Sequence, residues 1–249
     1  MRLDSRIALL GPSLANERLR SVLPRVAEAD SGVLIVGEPG TGREEVARLI
    51  HETSPRRAGP FGVTGCPGWQ ASNEFDELFG GPGCAGLLEE CARGTVYLSS
   101  VDELPAAAQS RLARFVEDAS LGVVRQAPRL LASARHELSR LVGQARFRED
   151  LYYRLSVITL RLAPLRERRE DIPALSTHLL RECGLALGKR FEGIARDAMQ
   201  ALVGHRWSGN VAELASAIQR AAILEDGPLL TLQSLPPAVQ ANLRLAVAS

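Results

Sequence analysis

A glycine-rich segment near the start of the chain has the residue types and spacing of a loop that binds phosphate. Its sequence is GEPGTGRE, formed by Gly37, Glu38, Pro39, Gly40, Thr41, Gly42, Arg43 and Glu44. A β-branched run at residues 33–36 precedes it, and apolar residues at helical spacing follow it. In a strand, glycine loop and helix of this kind, backbone N–H groups and the helix N-terminus face the phosphate oxygens. The segment therefore predicts a nucleotide-binding loop.

Arg43 departs from the usual pattern of such loops. A lysine ordinarily stands at this position, and its compact ammonium group reaches the β- and γ-phosphates. The longer, planar guanidinium of Arg43 is not equivalent to that group. Two interpretations stay open: a weak site for ATP or ADP, or a tight turn retained because it packs the strand against the helix.

Apolar periodicity predicts the elements that would position this loop. Besides the run at residues 33–36, we expect short strands at residues 61–64, 95–98, 130–134 and 157–162, with helical patterns between most of them. Strands that alternate with helices are typical of a parallel sheet covered by helices. An amphipathic helix with Ser13 near its N-terminal cap is expected before the first strand.

A different pattern follows Pro164, where the strand-like runs stop. Three helical patterns occupy residues 172–187, 195–203 and 211–224. We therefore predict an α/β fold in two parts. Residues 1–165 form a nucleotide-binding-like α/β domain, and residues 166–249 form a small helical domain with a short tail.

Composition excludes several function classes. Thirty Lys and Arg residues against 29 Asp and Glu leave a net charge of +1, which gives no whole-chain field for DNA or an anionic membrane. The four cysteines have no spacing suited to zinc, so we expect reduced thiols and no metal. No apolar run approaches the ~18 residues of a membrane span. We expect a cytoplasmic protein without membrane contact and without a DNA-binding domain in this chain.

From about Leu10 to Pro237 the sequence resembles the AAA+ module of the bacterial sigma-54 transcription activators. The segments that carry the resemblance are GEPGTGREEVARLIHETSPR, NEFDELFG, ARGTVYLSSVDELPAAAQSRL, RFREDLYYRLSVITLRLAPLRERREDIPAL and HRWSGNVAEL. The resemblance implies a P-loop α/β domain with a parallel sheet flanked by helices, followed by a helical lid. It also implies an ATP site, subunits assembled in a ring and a contact with sigma-54.

Several working positions of that family are changed in this chain. The family places Asp-Glu directly after its third strand, to hold magnesium and orient water, whereas this chain has Ser99 and Ser100. The resemblance places three further polar residues of the family, an Asn of the second strand and the two sensors, on Gly65, Arg135 and Ala212. Asp102 and Glu103 match the acidic turn that the family has before a helix. We therefore expect neither magnesium nor effective hydrolysis.

The family also carries a loop with a G-A-F-T-G-A motif that touches sigma-54. At that place this chain has only residues 81–93, in which Leu87, Leu88 and Cys91 could form a short helix. The motif is absent, which argues against direct contact with sigma-54.

Arg148 and Arg154 match two arginines that the family uses on the γ-phosphate bound by a neighbouring subunit. The alternative is a pair of surface salt bridges that support the lid.

The pattern of losses predicts a degenerate ATPase in transcription regulation. It would bind ATP or ADP weakly or not at all and work through protein contacts, in a ring with AAA+ homologues. Two alternatives stay open. One is a slow ATPase in which Asp102 or Glu103 binds magnesium, and the other is an AAA+ scaffold outside transcription.

Overall fold

The computed structural model describes residues 5–66, 72–81 and 83–241, so the last part of the predicted tail, residues 242–249, lies outside the described residues. Contacts divide the chain into two compact units. The sheet unit comprises residues 5–6, Leu19–Glu38 and Arg43–Leu162, and the lid unit comprises Ile7–Arg18, Pro39–Gly42 and residues 163–241. The contacts thus separate the units at residue 162 rather than 165, and they group two short early segments with the lid.

The sheet unit is built on five parallel strands, as the alternating pattern predicts. They are β1 (Val33–Val36), β2 (Phe61–Gly65), β3 (Thr95–Ser99), β4 (Arg129–Ala134) and β5 (Ile158–Arg161), in the spatial order β2-β3-β4-β1-β5. The carboxyl ends of all five lie at one edge, with Val36 beside Ala134 and Gly65 beside Ser99.

Burial explains why the central strands are almost continuously apolar. Every residue of β1 and β4 is buried, and so are the first four of β3. A parallel strand covered on both faces has no solvent side, so apolar residues fill it. The edge strand β2 instead alternates, and Val63 is 36% exposed there.

In the part of the chain that the structure describes, ten α-helices accompany the strands. They are α1 (Leu14–Glu28), α2 (Arg43–Glu52), α3 (Ser72–Phe79), α4 (Leu87–Glu90), α5 (Ala106–Ser120), α6 (Leu138–Gly143), α7 (Glu149–Leu155), α8 (Ile172–Leu187), α9 (Arg196–Gly204) and α10 (Asn210–Leu224). Ser13 caps α1 as predicted, since its hydroxyl accepts the N–H of Asn16 at 3.2 Å. Within the described residues, none of the helices has the length and apolar character needed to span a membrane.

The lid unit contains the three predicted helices α8, α9 and α10 and a feature that the sequence did not indicate. β6 (Gly193–Ile194) pairs in parallel with β7 (Leu229–Leu230). Trp207 is fully buried, and its indole N–H donates to the carbonyl of Leu202 at 2.8 Å. Cys66, Cys91 and Cys183 are buried and unpaired, whereas Cys84 is exposed.

Candidate functional site

The glycine loop connects β1 to α2, as predicted. The amide of Gly37 extends the sheet by donating to the carbonyl of Ala134 at 3.1 Å. Gly40 and Gly42 then adopt φ angles of +77° and +101°, which side chains with a Cβ rarely allow. Helix α2 begins at Arg43, so its first amides lie at the end of the loop. This is the local geometry of an anion-binding helix N-terminus.

Within the lid unit, three successive carbonyls of the loop are hydrogen-bonded. Pro39 O accepts from Asn210 Nδ2 at 3.0 Å, Gly40 O from the Ala212 amide at 3.3 Å, and Thr41 O from Arg168 Nη2 at 3.0 Å. Ala212 stands where the family has its second sensor, and it contacts the loop through its backbone amide.

Asn210 has a role other than the one that its residue type favours. Asparagine before a helical pattern suggests an N-cap, but Asn210 is the first residue of α10. Its side chain is fully buried, and Oδ1 accepts the amide of Leu165 at 2.8 Å. The residue joins segments of the lid unit instead of capping its own helix.

Arg43 extends from the start of α2 with an unsatisfied donor. Its Nη1 is buried, and no hydrogen-bond acceptor for it is found in the described part of the chain. Its charge acts on Tyr97: burial raises the pKa of that phenol, while the hydrogen bond to Ser133 and the Arg43 charge oppose the rise. A buried cationic N–H without an acceptor is costly unless an anion binds it, so the residue fits a phosphate oxygen.

Backbone groups of Ser99 and Ser100, at the end of β3, are hydrogen-bonded within the sheet unit. Ser100 has a φ of +58°, and its amide donates to Ser133 Oγ at 3.3 Å. The hydroxyl of Tyr97 donates to the same Oγ at 2.8 Å. The carbonyl of Ser99 accepts the amide of Cys66, which follows Gly65 at the end of β2. These groups offer Mg²⁺ no carboxylate, the ligand that it takes from proteins.

Asp102 lies beyond this strand end, and one of its two carboxylate oxygens is hydrogen-bonded. Its Oδ2 accepts the amide of Arg135, at the first-sensor position, over 3.2 Å. Its Oδ1 is buried and has no partner among the residues that the structure describes. In the described ranges, no group of three or more His, Cys, Asp or Glu side chains is placed to hold a metal. The strand end at Ser99 and Ser100 does not fit magnesium, because magnesium in proteins takes carboxylate ligands.

The segment at residues 81–93, where the sigma-54 loop would be inserted, is compact; Pro82 lies outside the described residues. Gly81 and Cys84 form an isolated antiparallel bridge, and helix α4 follows. A Cβ on Gly62 of β2 would lie 2.6 Å from Cys91 Sγ and 2.7 Å from Leu87 Cδ1. The apolar side chains of the segment are therefore packed against the edge strand.

Comparisons with known proteins assign this architecture to a family. The model of the sigma-54 interaction domain matches residues 9–161, and that of the AAA+ ATPase lid domain matches residues 166–246. The chain belongs to the sigma-54 interaction domain family. This chain is therefore an AAA+ domain with a helical lid.

Curated relatives of this sigma-54 interaction domain are transcription regulators. The C4-dicarboxylate transport transcriptional regulatory protein DctD of Rhizobium meliloti is 36% identical over 95% of this chain and 55% of its own length. The DNA-binding transcriptional regulator NtrC of Azospirillum brasilense is 37% identical over 89% of this chain and 49% of its own length. The chain spans about half the length of these relatives.

A solved structure agrees with the same fold. NtrX from Brucella abortus, crystallised in complex with ATP, has a TM-score of 0.85 and 34% identity, over 93% of this chain and 55% of that chain. The comparisons give no support to the expectation that the domain avoids contact with sigma-54, because the family is named for that interaction.

The two arginines expected to act on a neighbour lie in ion pairs in this sigma-54 interaction domain. Arg148 precedes α7 and binds both oxygens of Asp150, at 3.0 and 2.7 Å, which holds the pKa of that carboxyl below its usual value. Arg154 Nη2 lies 3.6 Å from Glu117 Oε1. Both pairs are at the surface, where each contributes little stability. Either arginine would have to leave its partner to act in trans.

Arg168 contacts the glycine loop in a way that the sequence did not indicate. It is 3% exposed and binds Thr41 O, Ala8 O and Asn16 Oδ1. It belongs to the stretch LRERR, one apolar residue followed by four charged ones, in which no periodicity marks one arginine as buried.

Proposed function

We propose that this sigma-54 interaction domain is a non-hydrolysing AAA+ module of a cytoplasmic transcription regulator. It binds ATP or ADP weakly and works through contacts with other AAA+ subunits. The observation that carries the proposal is the end of β3, where Ser99 and Ser100 stand in place of two carboxylates and the Ser100 amide is bound to Ser133.

Support for nucleotide binding comes from the glycine loop and Arg43. The positive φ angles of Gly40 and Gly42 give the loop a form that only glycine adopts readily, and the buried Nη1 of Arg43 lacks an acceptor. A bound nucleotide would supply phosphate oxygens to the loop amides and to this guanidinium. The ATP complex of NtrX, a relative of the same fold, supports the same assignment.

Support for the absence of hydrolysis comes from residue types. Phosphoryl transfer depends on neutralising charge and on placing the attacking water. Gly65 has no side chain, and Ala212 presents a methyl group, so neither can orient water or bind a phosphate oxygen. The chain's own residues would hold a nucleotide without activating a water molecule beside it.

Protein contacts are the remaining way for such a domain to act. Its family supports contact with sigma-54 and with AAA+ subunits. The missing G-A-F-T-G-A motif and the packing of Leu87 and Cys91 on Gly62 support the narrower proposal that the domain does not itself drive sigma-54. Pull-down with purified sigma-54 tests the contact. An open-complex assay with the domain alone tests whether it activates sigma-54.

The decisive experiment for nucleotide binding is calorimetric titration with ADP and ATP, with and without Mg²⁺. The proposal expects weak binding that magnesium changes little. Binding that requires magnesium, or no binding of either nucleotide at millimolar concentration, would overturn it.

One observation favours the slow ATPase as a second candidate. The buried Oδ1 of Asp102 lacks a partner within the described residues, so a cation would satisfy it. In that case the wild type would show magnesium-dependent ATP hydrolysis, and Asp102→Asn would abolish it. The main proposal expects no hydrolysis in either protein.

A further inference from the structure

Three consecutive carbonyls of the glycine loop are bound by three separate donors of the lid unit. Asn210 Nδ2, the Ala212 amide and Arg168 Nη2 donate to Pro39, Gly40 and Thr41 respectively, at 3.0, 3.3 and 3.0 Å. A loop usually leaves such carbonyls to water, because connecting segments run over the surface. Here the backbone orientation is fixed at every residue of the turn before any nucleotide is considered.

Close contact reinforces these hydrogen bonds. A Cβ on Gly40 would lie 2.3 Å from the carbonyl oxygen of Gly209. The turn that presents this carbonyl is itself unusual, because Trp207 and Asn210 both adopt positive φ angles, of 51° and 56°. Non-glycine residues hold such angles only where their surroundings over-determine them. The close contact between this turn and the glycine loop is one such constraint on the two φ angles.

Arg168 is held as firmly as Asn210. It is 3% exposed, and Nη1 binds Ala8 O at 3.2 Å and Asn16 Oδ1 at 3.1 Å, which leaves Nη2 directed at Thr41 O. Burial lowers the pKa of this guanidinium, and the charge of Asp171 opposes that effect. Because the guanidinium is planar, fixing Nη1 also fixes the direction of Nη2.

We propose that Asn210 and Arg168 are positioning residues for the glycine loop. By binding the carbonyls of Pro39 and Thr41, they turn the amides of Gly40 and Gly42, which share those peptide planes, toward the nucleotide and keep them there in the free protein. The inference rests on the proposed nucleotide binding for its functional consequence. It adds that residues of the lid unit set the affinity of the loop for nucleotide by binding the loop backbone. This role needs no sensor side chain at Ala212.

The test uses Asn210→Asp as the main variant. An aspartate keeps the oxygen that accepts the Leu165 amide, but it replaces the donor to Pro39 O with a second acceptor, so the two oxygens repel. Arg168→Lys is the second variant, since it keeps the charge and loses the fork. Lys189→Met is the matched control: it removes donations to Ala222, Ile223 and Glu225 in the lid unit and leaves the loop carbonyls bound.

The first readout needs no nucleotide. The Ala212 amide donates to Gly40 O, so its hydrogen exchange, followed by NMR, reports whether the loop stays in place. We expect the exchange of this amide to accelerate roughly tenfold in Asn210→Asp and in Arg168→Lys. This factor corresponds to the loss of about one buried hydrogen bond. Lys189→Met should change it far less. Unchanged exchange in a folded Asn210→Asp or Arg168→Lys variant, or equal acceleration in the control, overturns the inference.

The second readout is the Kd for ADP from calorimetry. We expect it to rise roughly tenfold in both variants and to stay unchanged in Lys189→Met. A faster Ala212 exchange with an unchanged Kd overturns the positioning role. If the wild type binds no nucleotide, the proposed function fails, and the exchange result alone then decides whether these residues hold the loop.

Discussion

The hydroxyl of Tyr97 on β3 donates a 2.8 Å hydrogen bond to the hydroxyl of Ser133 on the neighbouring strand β4. Ser133 Oγ also accepts the amide of Ser100 at 3.3 Å, so polar groups at this end of the sheet satisfy one another. Satisfied groups of this kind rigidify a structure but hold no free ligand for a metal or an attacking water. This arrangement supports the proposal that the domain binds nucleotide without hydrolysing it.

Arg43→Lys is predicted to tighten the binding of ADP several-fold. The shorter ammonium group places its charge where the β-phosphate lies. Calorimetric titration measures the change, with Arg43→Met as the control that removes the charge and weakens binding. Equal affinities for wild type and both variants would show that this position does not contact the nucleotide.

Gly40→Ala is predicted to lower the free energy of unfolding by roughly 2 kcal/mol or more, because the backbone has a φ of +77° and the new Cβ would meet Gly209 O. Gly122→Ala is the matched control. Gly122 has a similar φ of +73° but nothing lies within 4 Å of its Cβ position, so only about 1 kcal/mol is expected there. Urea unfolding compares the two. Equal losses would contradict the close contact between loop and turn.

Glu225→Gln is predicted to destabilise the lid unit in a pH-dependent way. Hydrogen bonds from the hydroxyl and amide of Thr231 lower the pKa of Glu225 to about 2, from a usual value of 4.5. Because the folded-state pKa is depressed, the stabilisation is full above about pH 4.5 and is lost as the pH falls toward 2.

Thermal unfolding of wild type and Glu225→Gln at several pH values checks this prediction. We expect a difference of about 1 kcal/mol at pH 7, since solvent screens part of the effect, and convergence of the two proteins near pH 2. A difference that does not change between pH 7 and pH 3 would assign the loss to packing instead.

Arg148 and Arg154 are predicted to change the ATPase rate of an active sigma-54 activator when this chain is mixed into its ring. Arginines supplied in trans can raise such rates by ~10³ or more, so a mixed ring should respond measurably. The double variant Arg148→Ala plus Arg154→Ala should lose the effect. Arg114→Ala removes another surface arginine, which lies 3.9 Å from Asp118, and should keep it. Identical effects from all three forms would leave Arg148 and Arg154 as members of surface ion pairs within the sheet unit.

Much of the fold was predictable from periodicity, because long apolar patterns report burial directly. The strand β1 and the helix α8 have the predicted bounds. The pair of β6 and β7 was not predictable, since two residues are too few to show a period of two. The role of Asn210 was not predictable, because local preference favours a cap, whereas its fully buried side chain binds residues 45 and 171 positions away.

The candidate site was predictable as a segment and not as a set of contacts. The spacing of Gly37, Gly40 and Gly42 identified the loop, because such a loop needs glycines at set positions and these are visible in the sequence. The donor from Arg168 to Thr41 joins residues 127 positions apart, and no local pattern encodes such a pairing.

The most direct test of the central claim is the rate of ATP hydrolysis by the purified chain with Mg²⁺, beside a heat-denatured sample and an Asp102→Asn variant. The end of β3 offers hydroxyls where phosphoryl transfer needs carboxylates, so we predict that the folded wild type releases no more phosphate than the denatured control. Steady, magnesium-dependent release by the wild type that disappears in Asp102→Asn would contradict the account and establish this chain as an ATPase.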